Sequence, residues 1–337
     1  MSASVGRKNT DKLYLVAQLL CDSTWCQSIS NYILEIEVVQ MQFWVSDIFP
    51  NIKIEIFGAS YAGSPRDNTV MYITKKVEKL INNLKGHSNC VCFVDEASEI
   101  PEDIEQRNAI IRSNNPAFEY ARFATTVEKK VRFNERLKGF HLTEEGYYIG
   151  TNVEIGNNAY IEPGVVIGHD TTIGSNAVIL AGSVIRHATI GNDFICNENA
   201  VVGDYSFTMA EDDDGNKYRI PALGKVIIGD HVEVGACNDV AVGACGDTIL
   251  DNYVKLDGLV HIGHEAHLHE NVEVTAGAII AGFADIKKHT YLGINSSIKN
   301  RKSIGEDCVV GMGAVVTKDF DSGITVIGNP AREYKRD

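Results

Sequence analysis

The sequence predicts an α/β domain followed by a long parallel β-helix, and three observations support this fold class. An aliphatic residue returns at every sixth position through most of the second half of the chain. Gly, Asn and Asp occupy the positions between these residues, where turns are expected. The first 140 residues lack this repeat. A period of six fits neither a helix face nor a simple strand alternation, so each hexapeptide is predicted to form one short strand and one corner.

The hexapeptide repeat extends over three sets of residues. One unbroken set contains Leu250, Leu256, Ile262, Leu268, Val274, Ile280, Ile286, Leu292, Ile298, Ile304, Val310 and Val316. An earlier set contains Ile155, Ile161, Ile167, Ile173, Ile179 and Ile185, and it continues after a one-residue slip through Ile190, Cys196 and Val202. A third set contains Ile228, Val234 and Val240. Three hexapeptides make one triangular coil, so about eight coils are expected, each touching only its neighbours.

The domain boundaries follow from where this repeat begins, breaks and ends. Residues 141–318 are predicted to form the β-helix, and residues 319–337 a short C-terminal tail. The acidic segment 204–225 interrupts the repeat and is predicted to be a loop ejected from one corner. Insertions in repeat proteins usually lie on a binding face, so this loop is expected near a binding site. A second, shorter interruption lies around 243–247.

The first domain, residues 1–140, is predicted to be a small α/β domain. The segments KIEIFGAS and CVCFVDE are typical of strands, and KKVEKLINNL and NPAFEYARFATTVEKK are typical of helices. Asn115 and Pro116 suit the cap and the first turn of the last helix. The apolar segment 13–20 runs directly into Cys21-Asp22-Ser23, which favours a first helix or strand over a signal peptide.

The composition excludes several classes of function. A net charge of −14 disfavours nucleic acid as a partner, because binders of phosphate backbones cluster Lys and Arg. No apolar run approaches the roughly 18 residues of a membrane span. Eight cysteines without a CxxC pair argue against a zinc site and fit reduced thiols in a cytoplasmic protein. No metal is expected.

Several segments resemble the UDP-3-O-acylglucosamine N-acyltransferases of lipid A synthesis. The resemblance lies in KVIIGDHVEVGAC, VGACGDT, VKLDGLVHIGHEAHL, AGAIIAG and RIPALGK, together with MYIT and NPAFEYARFA in the first domain. It implies a left-handed β-helix and a homotrimer with active sites between subunits. It also implies transfer of an acyl group to a sugar amine.

Three departures from that family pattern favour a related reaction. Ala241-Val242 replaces an Asp-Arg pair, Arg301 replaces a second functional histidine, and Tyr72-Ile73-Thr74-Lys75 departs from the uridine motif. The ending around 326–332 resembles that of CoA-dependent sugar acyltransferases. We therefore predict an N-acyltransferase that moves a short or hydroxylated acyl group from acyl-CoA to a dTDP- or UDP-linked amino-deoxyhexose for surface polysaccharide. The alternative is UDP-3-O-acylglucosamine acylation with acyl carrier protein.

The predicted catalytic residues are His264 and Gly282. Amide formation from a thioester needs a base for the attacking amine and a donor for the oxyanion. His264 is flanked, eighteen residues away on either side, by Gly246 and Gly282, which predicts a gap beside its ring and an approachable Gly282 N–H. The resemblance assigns the same two roles to these residues. His261, His267 and His269 are expected to be solvated, and His261 and His267 lie on different faces and cannot easily share one ion.

The first domain, residues 1–140, is assigned to nucleotide recognition, but the predicted binding residues are less specific. Asp239 and Asp257 either orient His264 or bind the sugar. Tyr72 either stacks on the base or packs in the core, and Lys75 either meets a phosphate or is a solvated charge. For the acyl-CoA donor, the candidates are Arg301, Arg332 and Lys335, because Arg matches phosphate geometry; a solvated basic tail is the alternative.

Two further classes of protein remain open from the sequence. A β-helix carbonic anhydrase would need a histidine triad between subunits, for which His231, His261 and His264 are the candidates. A purely structural scaffold would leave the glycine-flanked histidine and the acidic loop without a role. The flat faces of a β-helix favour closure into a homotrimer.

Overall fold

The computed structural model describes residues 42–334, and residues 131–138 within this range only as backbone. The predicted segment 13–20 and Lys335 therefore lie outside the described residues. Within the described part, a small α/β domain precedes a parallel β-helix, as the sequence predicts. No helix in this part of the chain is long and apolar enough to cross a bilayer.

The α/β domain is built on a three-stranded parallel sheet covered by one long helix. Its strands are β1 (Phe43–Trp44), β2 (Glu55–Ile56), β3 (Val70–Ile73), β4 (Val91–Asp95) and β5 (Ala109–Ser113). Its helices are α1 (Glu102–Glu105) and α2 (Pro116–Lys138), with 3-10 turns at Val45–Asp47 and Lys75–Leu84. Strands β3, β4 and β5 form the sheet, and α2 packs on β3 and β4. The Asn115 side chain accepts a hydrogen bond from the Phe118 N–H at 3.2 Å, which confirms the predicted cap.

The β-helix is made of very short strands, most of them two residues long. The strands before the hairpin are β6 (His141–Leu142), β7 (Tyr148–Ile149), β8 (Glu154–Ile155), β9 (Tyr160–Ile161), β10 (Val166–Ile167), β11 (Thr172–Ile173), β12 (Val178–Ile179), β13 (Val184–Ile185), β14 (Ala188–Ile190), β15 (Ile195–Cys196) and β16 (Val201–Asp204). The hairpin contains β17 (Met209–Glu211) and β18 (Lys217–Arg219). After it follow β19 (Val226–Ile228), β20 (Glu233–Val234), β21 (Asp239–Ala241), β22 (Thr248–Leu250), β23 (Lys255–Leu256), β24 (His261–Ile262), β25 (His267–Leu268), β26 (Glu273–Val274), β27 (Ile279–Ile280), β28 (Asp285–Ile286), β29 (Tyr291–Leu292), β30 (Ser297–Ile298), β31 (Ser303–Ile304), β32 (Val309–Val310), β33 (Val315–Val316), β34 (Thr325–Ile327) and β35 (Arg332–Glu333).

These strands form three flat faces. The first face contains β7, β10, β13, β16, β21, β24, β27, β30 and β33, the second runs from β8 to β31, and the third from β9 to β34. Neighbouring strands within a face are parallel and normally eighteen residues apart, as in Val166 and Val184. The second face has eight strands, which agrees with the predicted number of coils.

The aliphatic residue of each hexapeptide fills the axis of the column. Ile167, Ile262 and Ile280 are fully buried, as are most of their counterparts. Burial of one such side chain stabilises the fold by about 1.5–3 kcal/mol. The corners adopt the left-handed conformation, which Asn tolerates best among non-glycine residues. Asn158 (φ 59°) and Asn176 (φ 61°) are examples, and their side-chain amides are hydrogen-bonded between coils at 3.3 Å.

Two insertions interrupt the column. Between β16 and β19 the chain leaves the coil and forms the antiparallel hairpin β17–β18, whose strands contact α2. The shorter interruption around 243–247 lengthens one coil, because Val226 pairs with Thr248, twenty-two residues later. The column also extends beyond residue 318, since β34 pairs with β32 in parallel and β35 then folds back on β34.

Candidate active site

The candidate site lies on the corner that follows β24, β27 and β30. Two columns of side chains meet there, each with a spacing of eighteen residues. One column contains His264, Gly282 and Asn300, and the other contains Glu265, Phe283 and Arg301. The three residues of the second column all have left-handed backbone conformations, with φ between 52° and 60°. The repeat therefore stacks chemically different side chains at one corner of successive coils.

His264 is held by the carboxylate of the residue that follows it. The Nδ1 atom of His264 lies against Oε2 of Glu265, and Oε1 of Glu265 accepts a hydrogen bond from the Cys245 N–H. The Glu265 side chain is only 4% exposed, whereas that of His264 is 21% exposed. The other ring nitrogen, Nε2, lies 3.4 Å from Oγ1 of Thr208 at the base of the hairpin. A buried carboxylate thus fixes the ring and leaves Nε2 as the atom that faces the cavity.

Gly282 lies directly beneath the His264 ring. A Cβ atom at this position would come within 2.7 Å of Nε2 and Cε1 of the imidazole. Among residues 42–334, no hydrogen-bond acceptor is recorded for the Gly282 N–H. Gly246, the other predicted neighbour, lies against Glu265 and Tyr61 instead, because the four extra residues of its coil displace it.

The α/β domain closes over this corner through Tyr61. The Tyr61 ring packs on Phe283 with centroids 4.8 Å apart, and its hydroxyl accepts a hydrogen bond from Arg301 Nη1 at 2.9 Å. The Arg301 guanidinium lies 4.0 Å from the centroid of Phe283. A cation over an aromatic face is attracted by the ring quadrupole. Arg301 is therefore held between Tyr61 of the α/β domain and Phe283 of the β-helix.

These groups line one cavity of about 120 Å³. Its walls are formed by Tyr72, Thr208, Ala244, Cys245, His264, Glu265, Gly282, Phe283, Asn300 and Arg301. Burial, with the nearby Cys245 and Glu265, raises the pKa of the Tyr72 hydroxyl well above its usual range, and burial does the same for the Cys245 thiol. Both groups are therefore neutral near pH 7, and neither adds charge to the site.

The cavity contains four of the nine predicted site residues, namely His264, Gly282, Tyr72 and Arg301. Lys75 lies outside it, where its Nζ atom contacts Glu78 at 2.7 Å and the Ala97 carbonyl at 3.2 Å. Arg332 is exposed on β35 and donates to the Ala331 carbonyl at 2.8 Å. Lys335 lies outside the described residues.

The two predicted aspartates do not orient His264. Asp239 pairs with His261 at 2.8 Å on the flat face before the corner. Asp257 accepts hydrogen bonds from the N–H groups of Gly258 and Ala276 at the preceding corner. The prediction assumed coils of equal length, but Asp239 aligns with His261, twenty-two residues later. The orienting carboxylate is Glu265, which the sequence analysis missed although it follows His264 directly.

The candidate triad of a carbonic anhydrase is dispersed within the chain. His231 lies 3.6 Å from Asp193 and stacks on Tyr253, whereas His261 pairs with Asp239. In the described part of the chain, these two histidines and His264 do not form a group of closely spaced ligand atoms.

Two family models of known proteins match the hexapeptide repeat of this chain. Residues 152–187 match the family model described as bacterial transferase hexapeptide (six repeats). Residues 288–318 match the model described as hexapeptide repeat of succinyl-transferase. Both matches lie within the column of short strands.

Several relatives carry the name UDP-3-O-acylglucosamine N-acyltransferase. The chain is 32% identical over 149 residues to a UDP-3-O-acylglucosamine N-acyltransferase of Caulobacter sp., covering 44% of each protein. It is 39% identical over 93 residues to an enzyme of the same name from Coxiella burnetii, covering 28% of this chain and 27% of the relative. The chain thus matches less than half of the length of these relatives.

Solved structures agree on the fold. A UDP-N-acetylglucosamine acyltransferase from Francisella novicida has a TM-score of 0.52 and 21% identity, covering 58% of this chain and 70% of the other. The enzyme of the same name from Campylobacter jejuni has the same score and identity, covering 58% and 74%. These neighbours confirm the predicted left-handed parallel β-helix.

The names of the relatives contradict one prediction. We expected a nucleotide-linked amino-deoxyhexose as the acceptor, and this is wrong, because the relatives are named for UDP-3-O-acylglucosamine. The repeat models, the relatives and the fold together relate this chain to the lipid A-like acyltransferases built on hexapeptide repeats.

Proposed function

We propose that the chain is an N-acyltransferase that transfers an acyl group from a thioester to the amine of UDP-3-O-acylglucosamine. The names of the relatives support the acceptor and the amide product. The observation that carries the proposal is the pairing of His264 with the buried carboxylate of Glu265, beside a glycine N–H and inside a cavity.

His264 is the proposed general base. The amine nitrogen attacks the thioester carbonyl and forms the new C–N bond, while its proton passes to Nε2, the ring nitrogen that faces the cavity. The imidazolium that results is stabilised by Glu265, whose carboxylate is shielded from water. When the oxyanion collapses, the carbonyl re-forms and the C–S bond breaks, and the sulfur takes the proton from His264 and leaves as a thiol.

Gly282 is the proposed oxyanion donor. The tetrahedral intermediate carries a negative charge on the former carbonyl oxygen, and a fixed N–H donor lowers the free energy of that state. Gly282 lies against the His264 ring, so a donor for the oxyanion is adjacent to the base that takes the proton of the attacking amine. Arg301 adds a positive charge on the next coil, which suits a phosphate of the donor or of the acceptor.

The decisive experiment is an acylation assay with UDP-3-O-acylglucosamine and UDP-glucosamine as acceptors, each with acyl-CoA and acyl carrier protein as donors. Amide product from the 3-O-acylated acceptor supports the proposal, and the preferred thioester identifies the carrier. Absence of product with both donors contradicts it.

Two variants test the mechanism in the same assay. We expect His264→Ala to lower kcat by about 10²–10⁴ while acceptor affinity is retained, because a general base contributes this much. Glu265→Gln keeps a hydrogen-bonding group but removes the charge, so it should lower kcat less and leave KM nearly unchanged. Full activity of His264→Ala would exclude this residue as the base.

A further inference from the structure

A cluster of side chains able to bind a metal lies on the flat face that follows the His264 corner. Asp251, His267 and His269 place their ligand atoms within 4.8 Å of one another. Asp251 follows β22, and the two histidines belong to or follow β25, the neighbouring strand. The sequence predicts no metal, because it has no CxxC pair and places His261 and His267 on different faces. His267 and His269 are two residues apart, and alternate residues of a strand point to the same side.

The geometry of these three residues fits one ion. Oδ2 of Asp251 lies 3.0 Å from Nε2 of His267 and 3.6 Å from Nδ1 of His269. Ligand atoms bound at about 2.0–2.2 Å in a tetrahedral or octahedral site are separated by similar distances. The two imidazole rings stack with centroids 3.8 Å apart and planes inclined by 20°, so both rings present a nitrogen to the same carboxylate.

The surroundings of His269 prepare its Nδ1 atom for binding. Nε2 lies 2.8 Å from Oδ1 of Asp285, whereas Lys287 Nζ is more distant from Nε2, at 3.3 Å, and is itself paired with Oδ2 of Asp285 at 2.8 Å. We therefore place the ring hydrogen on Nε2, donated to Asp285, and the lone pair on Nδ1. A histidine that donates its other N–H to a carboxylate is the usual arrangement around protein-bound metals.

Charge and access also suit a cation. The two aspartates supply negative charge, of which Lys287 offsets one unit. The side chains of Asp251 and His267 are 36% and 33% exposed, so an ion reaches them from solvent.

We propose that Asp251, His267 and His269 form a binding site for a borderline divalent transition metal such as Zn²⁺ or Co²⁺, with Asp285 as the positioning residue of His269. A set of two imidazoles and one carboxylate binds such ions in preference to Mg²⁺ or Ca²⁺, which favour oxygen ligands. Water or substrate completes the coordination. The site is separate from the His264 cavity, and the proposal does not depend on the acylation reaction.

The test is metal binding by the full chain without an affinity tag, after treatment with a chelator. Co²⁺ is followed by its visible absorption, and Zn²⁺ by calorimetry, with competition between the two. We expect one ion per chain with Co²⁺ bands of nitrogen and oxygen ligation. His269→Gln and Asp251→Asn should abolish this binding, and Asp285→Asn should weaken it by about 10–100-fold.

His261→Gln is the matched control, because His261 is also paired with an aspartate at 2.8 Å but belongs to no group of three close ligands among residues 42–334. It should bind as the wild-type chain does. Saturable binding that survives His269→Gln and Asp251→Asn, or no saturable binding by the wild-type chain, overturns the proposal. If either ligand variant fails to fold, His267→Gln and the Asp285→Asn affinity decide the question.

Discussion

Glu265 shows how much one side chain determines in this site. Its carboxylate is almost completely buried, and both oxygens have partners, His264 Nδ1 and the Cys245 N–H. A buried carboxylate without partners would destabilise the fold by several kcal/mol. The pairing therefore satisfies the charge and fixes the ring at the same time, and loss of either partner affects both stability and chemistry.

Gly282→Ala should displace the His264 ring and lower activity without lowering the stability of the fold. The new Cβ would lie 2.7 Å from the His264 ring, so the imidazole must turn away from the cavity. We expect kcat to fall at least tenfold, with little change in Tm, because the ring lies at a partly exposed corner. Gly258→Ala is the control, since its Cβ would approach nothing closer than 3.3 Å. Equal activity of both variants would contradict the proposed arrangement.

Arg301 and Arg332 were both predicted to bind the acyl donor, but we expect opposite results when each is replaced. Arg301 lines the cavity and is clamped by Tyr61 and Phe283, whereas Arg332 is exposed on β35. We expect Arg301→Gln to raise KM for donor or acceptor about tenfold or more, since one charge-assisted contact contributes about 1.5–3 kcal/mol. Arg332→Gln should leave kcat and KM unchanged. Steady-state kinetics measure both variants. A raised KM in Arg332→Gln and an unchanged KM in Arg301→Gln would show that the donor binds near β35 instead.

At the scale of one face, the β22–β25–β28 network makes the stability of the column sensitive to pH. The pKa of His269 is lowered, so below about pH 6.5 the unfolded chain takes up a proton that the folded chain resists. Stability therefore falls as the pH falls through this range. Burial raises the pKa of Asp285, but hydrogen bonds from Lys287 and His269 outweigh this effect, so the net pKa is lowered. The stability that Asp285 contributes is therefore lost only below about pH 3.8.

Thermal unfolding in metal-free buffer from pH 7.5 to pH 5 measures this effect. We expect Tm of the wild-type chain to decrease over the range, and the decrease to be smaller in His269→Gln. Parallel curves for the two proteins would show that His269 contributes nothing to the acid sensitivity. Saturating Zn²⁺ should raise Tm of the wild-type chain at pH 7.5 and lose its effect as the histidines become protonated.

The elements also show where sequence reasoning succeeds. The period of six predicts strands, faces and core because each coil repeats the same physical problem, and Ile262 and Ile280 are buried as expected. A uniform spacing of eighteen residues would align Asp239 with Asp257, but the coil of twenty-two residues aligns it with His261 instead. Glu265 and Tyr61 were missed for another reason. Tyr61 reaches the site only through the packing of one domain on another, which no local pattern encodes.

For the whole molecule, we propose a homotrimer. Exposed apolar side chains occur along the column, including Tyr160 at 57%, Leu259 at 67% and Met312 at 76% exposure. Flat faces and apolar corners of this kind favour association, and a closed ring of three satisfies equivalent surfaces. Light scattering with mass determination should give three times the chain mass at micromolar concentration. A stable monomer with full activity would show that the cavity is complete within one chain.

The pairing of each strand with one eighteen residues away has a consequence for how such proteins diverge. Because Val166 faces Val184 and every coil contacts only the coils above and below, an insertion or deletion of one whole coil leaves all other pairings intact. A lineage can therefore lengthen or shorten the column in single steps without passing through a misfolded ancestor. The coil of twenty-two residues is different, because its Cys245 N–H donates to Glu265 and its Gly246 lies against Tyr61 of the α/β domain. Natural length variation should accordingly accumulate at the two ends of the column, while the middle coils that hold His264 keep their number.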